Sequence, residues 1–198
     1  MKLDSIDFLV GIGASLAAGL AINVVTDAKI DHGIATFLVL SVIDVILLLI
    51  YKEPFVFNIN KWHFSLVGIA MGGAIFLALY FIQKTNISIS APNGFLDYAT
   101  YLINVAIIVP IFEEITVRRL MFVGASYYIG PALSALTVSA LFAATHTGLV
   151  LFSFAFSVIM CSMTWKGVDT YSRAILHGSY NGTISILWII SGIEAARQ

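Results

Sequence analysis

Apolar residues run along this chain in blocks long enough to cross a bilayer, with polar residues mostly confined to the gaps between them. A hydrocarbon core of roughly 30 Å needs about 20 helical residues. Residues 8–26 form a charge-free run of that kind, and 34–51, with Asp44 inside it, and 64–83 are the next two. The turn formers Pro92, Asn93 and Gly94 then mark a loop. A fourth run starts near Tyr98, continues through Phe112 into Glu113, and resumes from Leu120 to Tyr128. Gly130-Pro131 breaks it, and Pro131 suits the first turn of the following helix. A short run over 132–144 and longer ones over 147–165 and 174–193 complete the series. The pattern predicts an all-α, polytopic membrane helix bundle of seven transmembrane helices, or eight if the fourth region splits. One integral membrane domain over 1–198 is expected. Seven spans leave the two termini on opposite sides.

Composition supports the membrane reading. Of 198 residues, 60% are apolar and 11% charged, against roughly 45–50% and about 25% in soluble domains. The net charge of −1 offers no reason to expect a nucleic-acid partner. The first run lacks a strongly basic flank and a small-residue cleavage site, so it reads as a retained span. With the N-terminus inside, Lys2, Lys52, Lys61, Lys166 and Arg173 are cytoplasmic and Lys29, Lys84 and Arg197 are outside. That balance favours a cell-membrane protein with its N-terminus in. The single cysteine, Cys161, cannot form an intrachain disulfide and reads as a small packed hydrophobe. Asp44 reads as a partner for a polar group on a neighbouring span. Asn181-Gly-Thr183 and Asn86-Ile-Ser88 match a glycosylation pattern, the first inside a span and the second by chance. Internal repeats, low-complexity segments and linkers are absent from the pattern.

Three short motifs put polar groups where lipid-facing residues would be apolar: Glu113-Glu114-x-x-x-Arg118, Phe142-x-x-x-His146 and His177-x-x-x-Asn181. Burying each such group costs several kcal/mol unless it is paired or solvated, so one shared polar pocket is expected. On a helix Glu114 and Arg118 share a face and can pair. Glu113 is turned about 100° away and is left for chemistry. Each motif has a plainer reading. The charges could be an interfacial ion-pair cluster with Arg119 snorkelling, His146 a hydrogen-bonded helix-end residue, and His177 with Asn181 an interhelical hydrogen-bond pair. Taken together they suit a bound water. Glu113 with His146 would deprotonate it, and His177 and Asn181 would stabilise an oxyanion. Glu114 and Arg118 would hold the helix. His32 and His63 lie near loops, and no Ser/His/Asp or Cys/His triad is legible.

The ordered set EEITVR, FAATH and HGSYN resembles the CAAX protease and bacteriocin-processing (Abi) family of intramembrane proteases, type II CAAX prenyl endopeptidase-like. The resemblance covers a motif-bearing core over 98–193; the first three spans resemble nothing identifiable. It implies peptide hydrolysis near or within the membrane, on prenylated CAAX tails or small peptides such as bacteriocins. It implies the same roles for Glu113, Glu114, Arg118, His146, His177 and Asn181. The family often has Phe and Gly beside the motif arginine, where this chain has Val117 and Arg119; Arg119 removes a small residue that close packing would use. Members are called metalloproteases, yet a glutamate-activated water without metal is also argued for them. Two His and a Glu could form a three-ligand zinc site. Asn181 is an unusual zinc ligand, and it shares a face with His177, so the metal-free form is preferred. The competing functions are an inactive member serving as a membrane immunity or binding protein, and an ion- or proton-coupled transporter, which should show repeats.

Overall fold

The computed structural model describes residues 5–27, 31–51, 61–83, 95–146 and 149–195. Lys2, Lys29, Lys52, Lys84, Arg197, Asn86, Ser88, the Pro92-Asn93-Gly94 turn and Thr147 lie outside the described residues. The helices are α1 (Ser5–Asp27), α2 (His32–Tyr51), α3 (Trp62–Gln83), α4 (95–129), α5 (Pro131–Ala144), α6 (Val150–Trp165) and α7 (Thr170–Ala195), and no strand occurs among the described residues. The first four are long and apolar enough to cross a membrane, and α5 and α6 are shorter apolar helices. The fold is a polytopic membrane helix bundle. Its fourth region does not split.

Cross-helix ties give the topology. Tyr51 at the end of α2 donates to Asp7 at the start of α1, at 3.2 Å. Lys61, before α3, pairs with Asp169, before α7, at 2.9 Å. Arg119, in the later half of α4, lies over the Tyr51 ring. These groups mark one side of the bundle. On the other side Asn104 Nδ2 donates to the Gly33 carbonyl at 2.8 Å, and Tyr101 meets Ser185 at 3.2 Å. Thus α3 and α7 run parallel, and α4 runs against both. Apolar clusters fill the interior, among them Leu47, Tyr51, Ile115 and Leu120 between α2 and α4. A second holds Phe156, Met160, Leu176 and Tyr180. Leu16, Leu20 and Val24 face outward, as the lipid side of a spanning helix does. Cys161 is packed with Met121, Phe122 and Val138, as a small hydrophobe. Asp44 departs from expectation. It is buried, and neither carboxylate oxygen has a hydrogen-bond partner among the described residues, because the turns on either side of it, at Leu40 and Leu47, sit in apolar clusters.

The local irregularities lie where α4 carries the site. It is π-helical over Asn104–Ile108 and Glu114–Phe122, and α-helical over Phe95–Ile103, Val109–Glu113 and Val123–Ile129. Wide turns of this type recur at functional sites. Pro110 has no N–H for the Ala106 carbonyl four residues back, and the first wide turn includes that carbonyl. The Ala106 carbonyl rests on Gly178 of α7, where any Cβ would collide with it. Gly182 meets the Ala106 Cβ one turn further on. On the opposite face of α7, Gly68 and Gly72 of α3 let it approach the backbone of Leu176 and Tyr180. Spacing of small residues four apart suits such close helix packing. Gly178→Ala should therefore push α7 off α4, since the obstacle is backbone. We expect a loss of about 1–3 kcal/mol or more, read as a lower unfolding temperature in detergent; an unchanged temperature would contradict the packing described.

The start of α7 is also fixed. Asp169 accepts from the Ser172 amide at 3.0 Å and the Ser172 hydroxyl at 2.6 Å, an N-cap arrangement. Partial burial pushes its carboxyl up, but hydrogen bonds from Ser172 and Lys61 outweigh this and hold it at about 2. A depressed carboxyl contributes stability that is present above its unfolded value near 4 and lost as pH falls towards 2. The unfolding temperature should drop across that window, and the drop should be smaller in Asp169→Asn. Equal pH profiles for the two proteins would contradict it.

Candidate active site

Glu113 and Glu114 sit where α-helix gives way to the second wide turn of α4. Their side chains diverge. Glu114 is completely buried, while Glu113 keeps 16% of its side chain exposed. Glu114 Oε2 accepts from Arg173 Nε at 3.0 Å, and Glu114 Oε1 faces His177 Nδ1 at 3.1 Å. Arg118 also reaches Glu114, at 3.6 Å, but none of its side-chain nitrogens has a hydrogen-bond partner among the described residues. Its guanidinium lies instead 4.2 Å above the Phe142 ring. The expected Glu114–Arg118 pair is therefore an ion pair without a hydrogen bond, because the wide turn leaves the guanidinium over Phe142.

The imidazoles flank Glu113. His146 follows the end of α5, with Nδ1 at 2.8 Å from the Phe142 carbonyl and its ring 4.3 Å from the Phe142 ring. A carbonyl only accepts, so Nδ1 carries the proton and Nε2 is an acceptor in the neutral ring. That Nε2 lies 4.0 Å from Glu113 Oε1. His177, on α7, packs against Phe156 at 4.8 Å and places Nε2 3.5 Å from Glu113 Oε2. Its Nδ1 faces Glu114, a carboxylate held by two guanidiniums, so here too Nδ1 donates. A neutral His177 therefore has no Nε2 proton for an oxyanion. Asn181, one turn beyond His177, lines the same cavity as His146 and His177.

That cavity has a volume of about 160 Å³. Its apolar wall includes Val105, Leu149 and Ile184, and its polar lining includes Ser153 and Ser185. Helices α5 and α6 have 14 and 16 residues, about 21 and 24 Å of rise, against the 26 residues of α7. His146, two residues past the end of α5, lies beside Glu113 and keeps 36% of its side chain exposed.

Sequence reasoning missed Arg173. It read as a charge flanking the last span, yet α7 begins at Thr170 and Arg173 is only 3% exposed. Its position four residues before His177, on the same helical face, was the available signal. Arg119 is accommodated by Tyr51 of α2, which supplies a ring 5.7 Å away. So α2 meets the residue at which the motif departs from its usual pattern. For a metal the donor set is a poor fit. The two imidazoles face different oxygens of Glu113, and among the described residues no three His, Cys, Asp or Glu side chains group to hold an ion.

No curated protein and no solved structure matches the chain. Residues 95–183 match the family model described as Type II CAAX prenyl endopeptidase Rce1-like. The match takes in Glu113 to Arg118, Phe142 to His146 and His177 to Asn181. Over this segment, a little under half of the chain, the protein is similar to the Rce1-like type II CAAX prenyl endopeptidases.

Proposed function

We propose that the chain is an intramembrane endopeptidase that hydrolyses a peptide bond in a membrane-associated or prenylated peptide, using water activated by Glu113 and His146. The observation that carries this reading is the 4.0 Å gap between Glu113 Oε1 and His146 Nε2. It is too long for a direct hydrogen bond and suits a water that donates to both. With both its hydrogens engaged, that water presents a lone pair to a carbonyl carbon. Its oxygen bonds to that carbon as one proton passes to Glu113. By turning about its Cγ–Cδ bond the protonated Glu113 carboxyl can hand that proton to His177 Nε2, leaving an imidazolium pinned by Glu114. The new Nε2–H and the Asn181 amide then face the oxyanion. Collapse breaks the C–N bond, the imidazolium returns its proton to the leaving amine, and the second water proton leaves with the new carboxyl group. No step passes through a metal.

The orientation belongs to the same proposal. Among the described residues Lys61 and Lys166 lie at the end of the bundle that holds the start of α1. Asp27, Asp31 and Asp97 lie at the other. This favours a cell-membrane protein with its N-terminus inside.

The test is a cleavage assay on purified protein in nanodiscs. It uses quenched-fluorescent peptides ending in Cys-aliphatic-aliphatic-X, with and without a farnesyl group. Asn181→Ala should lower kcat by about 10²–10³-fold, the usual cost of losing an oxyanion donor. No cleavage of either peptide by the unsubstituted chain would favour the inactive-member reading, and an unaffected Asn181→Ala would remove the amide from the mechanism.

A further inference from the structure

We infer that Arg173 is a positioning residue for this hydrolysis: through Glu114 it sets which nitrogen of His177 carries the proton. The inference rests on the peptidase reading above. Two guanidiniums approach Glu114, and they do so differently. Arg173 Nε donates to Oε2 at 3.0 Å, whereas Arg118 stands 3.6 Å from Oε1 with no hydrogen bond to it. A guanidinium that donates in line orients a carboxylate, while a charge displaced over a ring mainly neutralises it. Arg173 is itself fastened. Its other nitrogens donate to the Val168 carbonyl and, at 3.3 Å, to the Thr170 hydroxyl. The anchor is therefore the first turn of α7, the helix that carries His177.

The two ends of this chain of contacts belong to one helical face. Arg173 and His177 are four residues apart and both close on Glu114, reaching over from α4. With Oε2 held by Arg173, Oε1 stays on His177 Nδ1 and keeps the proton there. The Nε2 lone pair then faces Glu113 and can take its proton. Without Arg173, Glu114 is free to swing towards Arg118, and Nδ1 loses its acceptor. The imidazole proton then gains by moving to Nε2, 3.5 Å from Glu113 Oε2. That proton would engage the base before water does. Arg173 lines no part of the cavity, and the change at His177 moves a proton and not a wall, so the cost falls on kcat.

The protein has four histidines, so the full chain, labelled with nitrogen-15 in its imidazoles and held in nanodiscs, gives few enough signals to assign by single His→Gln substitutions. Tautomers are read at neutral pH without substrate, in the unsubstituted chain, Arg173→Gln and Arg173→Lys. We expect the His177 proton on Nδ1 in the unsubstituted chain and on Nε2, wholly or in part, in Arg173→Gln. His146 should keep its tautomer throughout, and Arg173→Lys should fall between. In the peptide assay kcat should drop by about 10- to 100-fold, the usual cost of losing a partner that orients a functional imidazole, with KM little changed. A His177 proton on Nε2 in the unsubstituted chain would overturn the inference outright. So would an unchanged His177 tautomer in both variants. Because the tautomer is read without turnover, its failure is distinct from failure of the peptidase reading, which would appear as no cleavage by a chain whose His177 is protonated as described.

Discussion

Glu113→Gln should abolish peptide cleavage while leaving the chain as stable as before. The amide keeps the size and most of the packing of the carboxylate, and Glu113 is the less buried of the two adjacent acids. What it loses is the ability to take a proton from water. General-base contributions are typically 10²–10⁴-fold, and here no second carboxylate can substitute, because Glu114 is occupied on both oxygens. Stability is measurable through Cys161, the single cysteine and fully buried, whose reaction with a thiol-reactive dye reports unfolding. An unfolding temperature that falls together with activity would show that Glu113 is part of the scaffold instead.

Glu114→Gln should behave in the opposite way. It leaves two buried guanidiniums, Arg118 and Arg173, facing an amide. Removing one partner of a buried pair costs roughly 3–5 kcal/mol, because the remaining charge stays desolvated and unpaired. The same dye assay should show a large drop in unfolding temperature, with activity lost alongside. Glu114→Gln as stable as the unsubstituted chain would contradict the ion-pair network. The two substitutions are chemically identical and one residue apart, so the contrast reports on position alone.

Much of this arrangement was legible before any coordinates. The apolar runs located α1, α2 and α3 because spanning helices must be apolar along most of their length. The motifs stood out because Glu, His and Asn are costly at such positions. What was not legible depended on geometry that a helical period of 3.6 cannot represent. The wide turn over Glu114–Phe122 carries Arg118 over Phe142. Arg173 looked interfacial because the apolar run starts at Ala174, and run boundaries do not see an N-cap such as Asp169. Some signals were present and unused. Gly68-x-x-x-Gly72 and the glycines at 178 and 182 mark the two close faces of α7, and Pro110 marks the first wide turn. That Asp44 has no hydrogen-bond partner among the described residues had no sequence signal, since its partners would have come from other spans.

The central claim is that Glu113 activates a water which attacks a peptide carbonyl. The most direct measurement incubates the purified chain and its Glu113→Gln variant with the farnesylated and unfarnesylated tail peptides in water labelled with heavy oxygen. Mass spectrometry then reads both products. The account predicts cleavage at a single bond by the unsubstituted chain, the label in the newly formed carboxyl group, and no product from Glu113→Gln. Labelled product at undiminished yield from Glu113→Gln would contradict it.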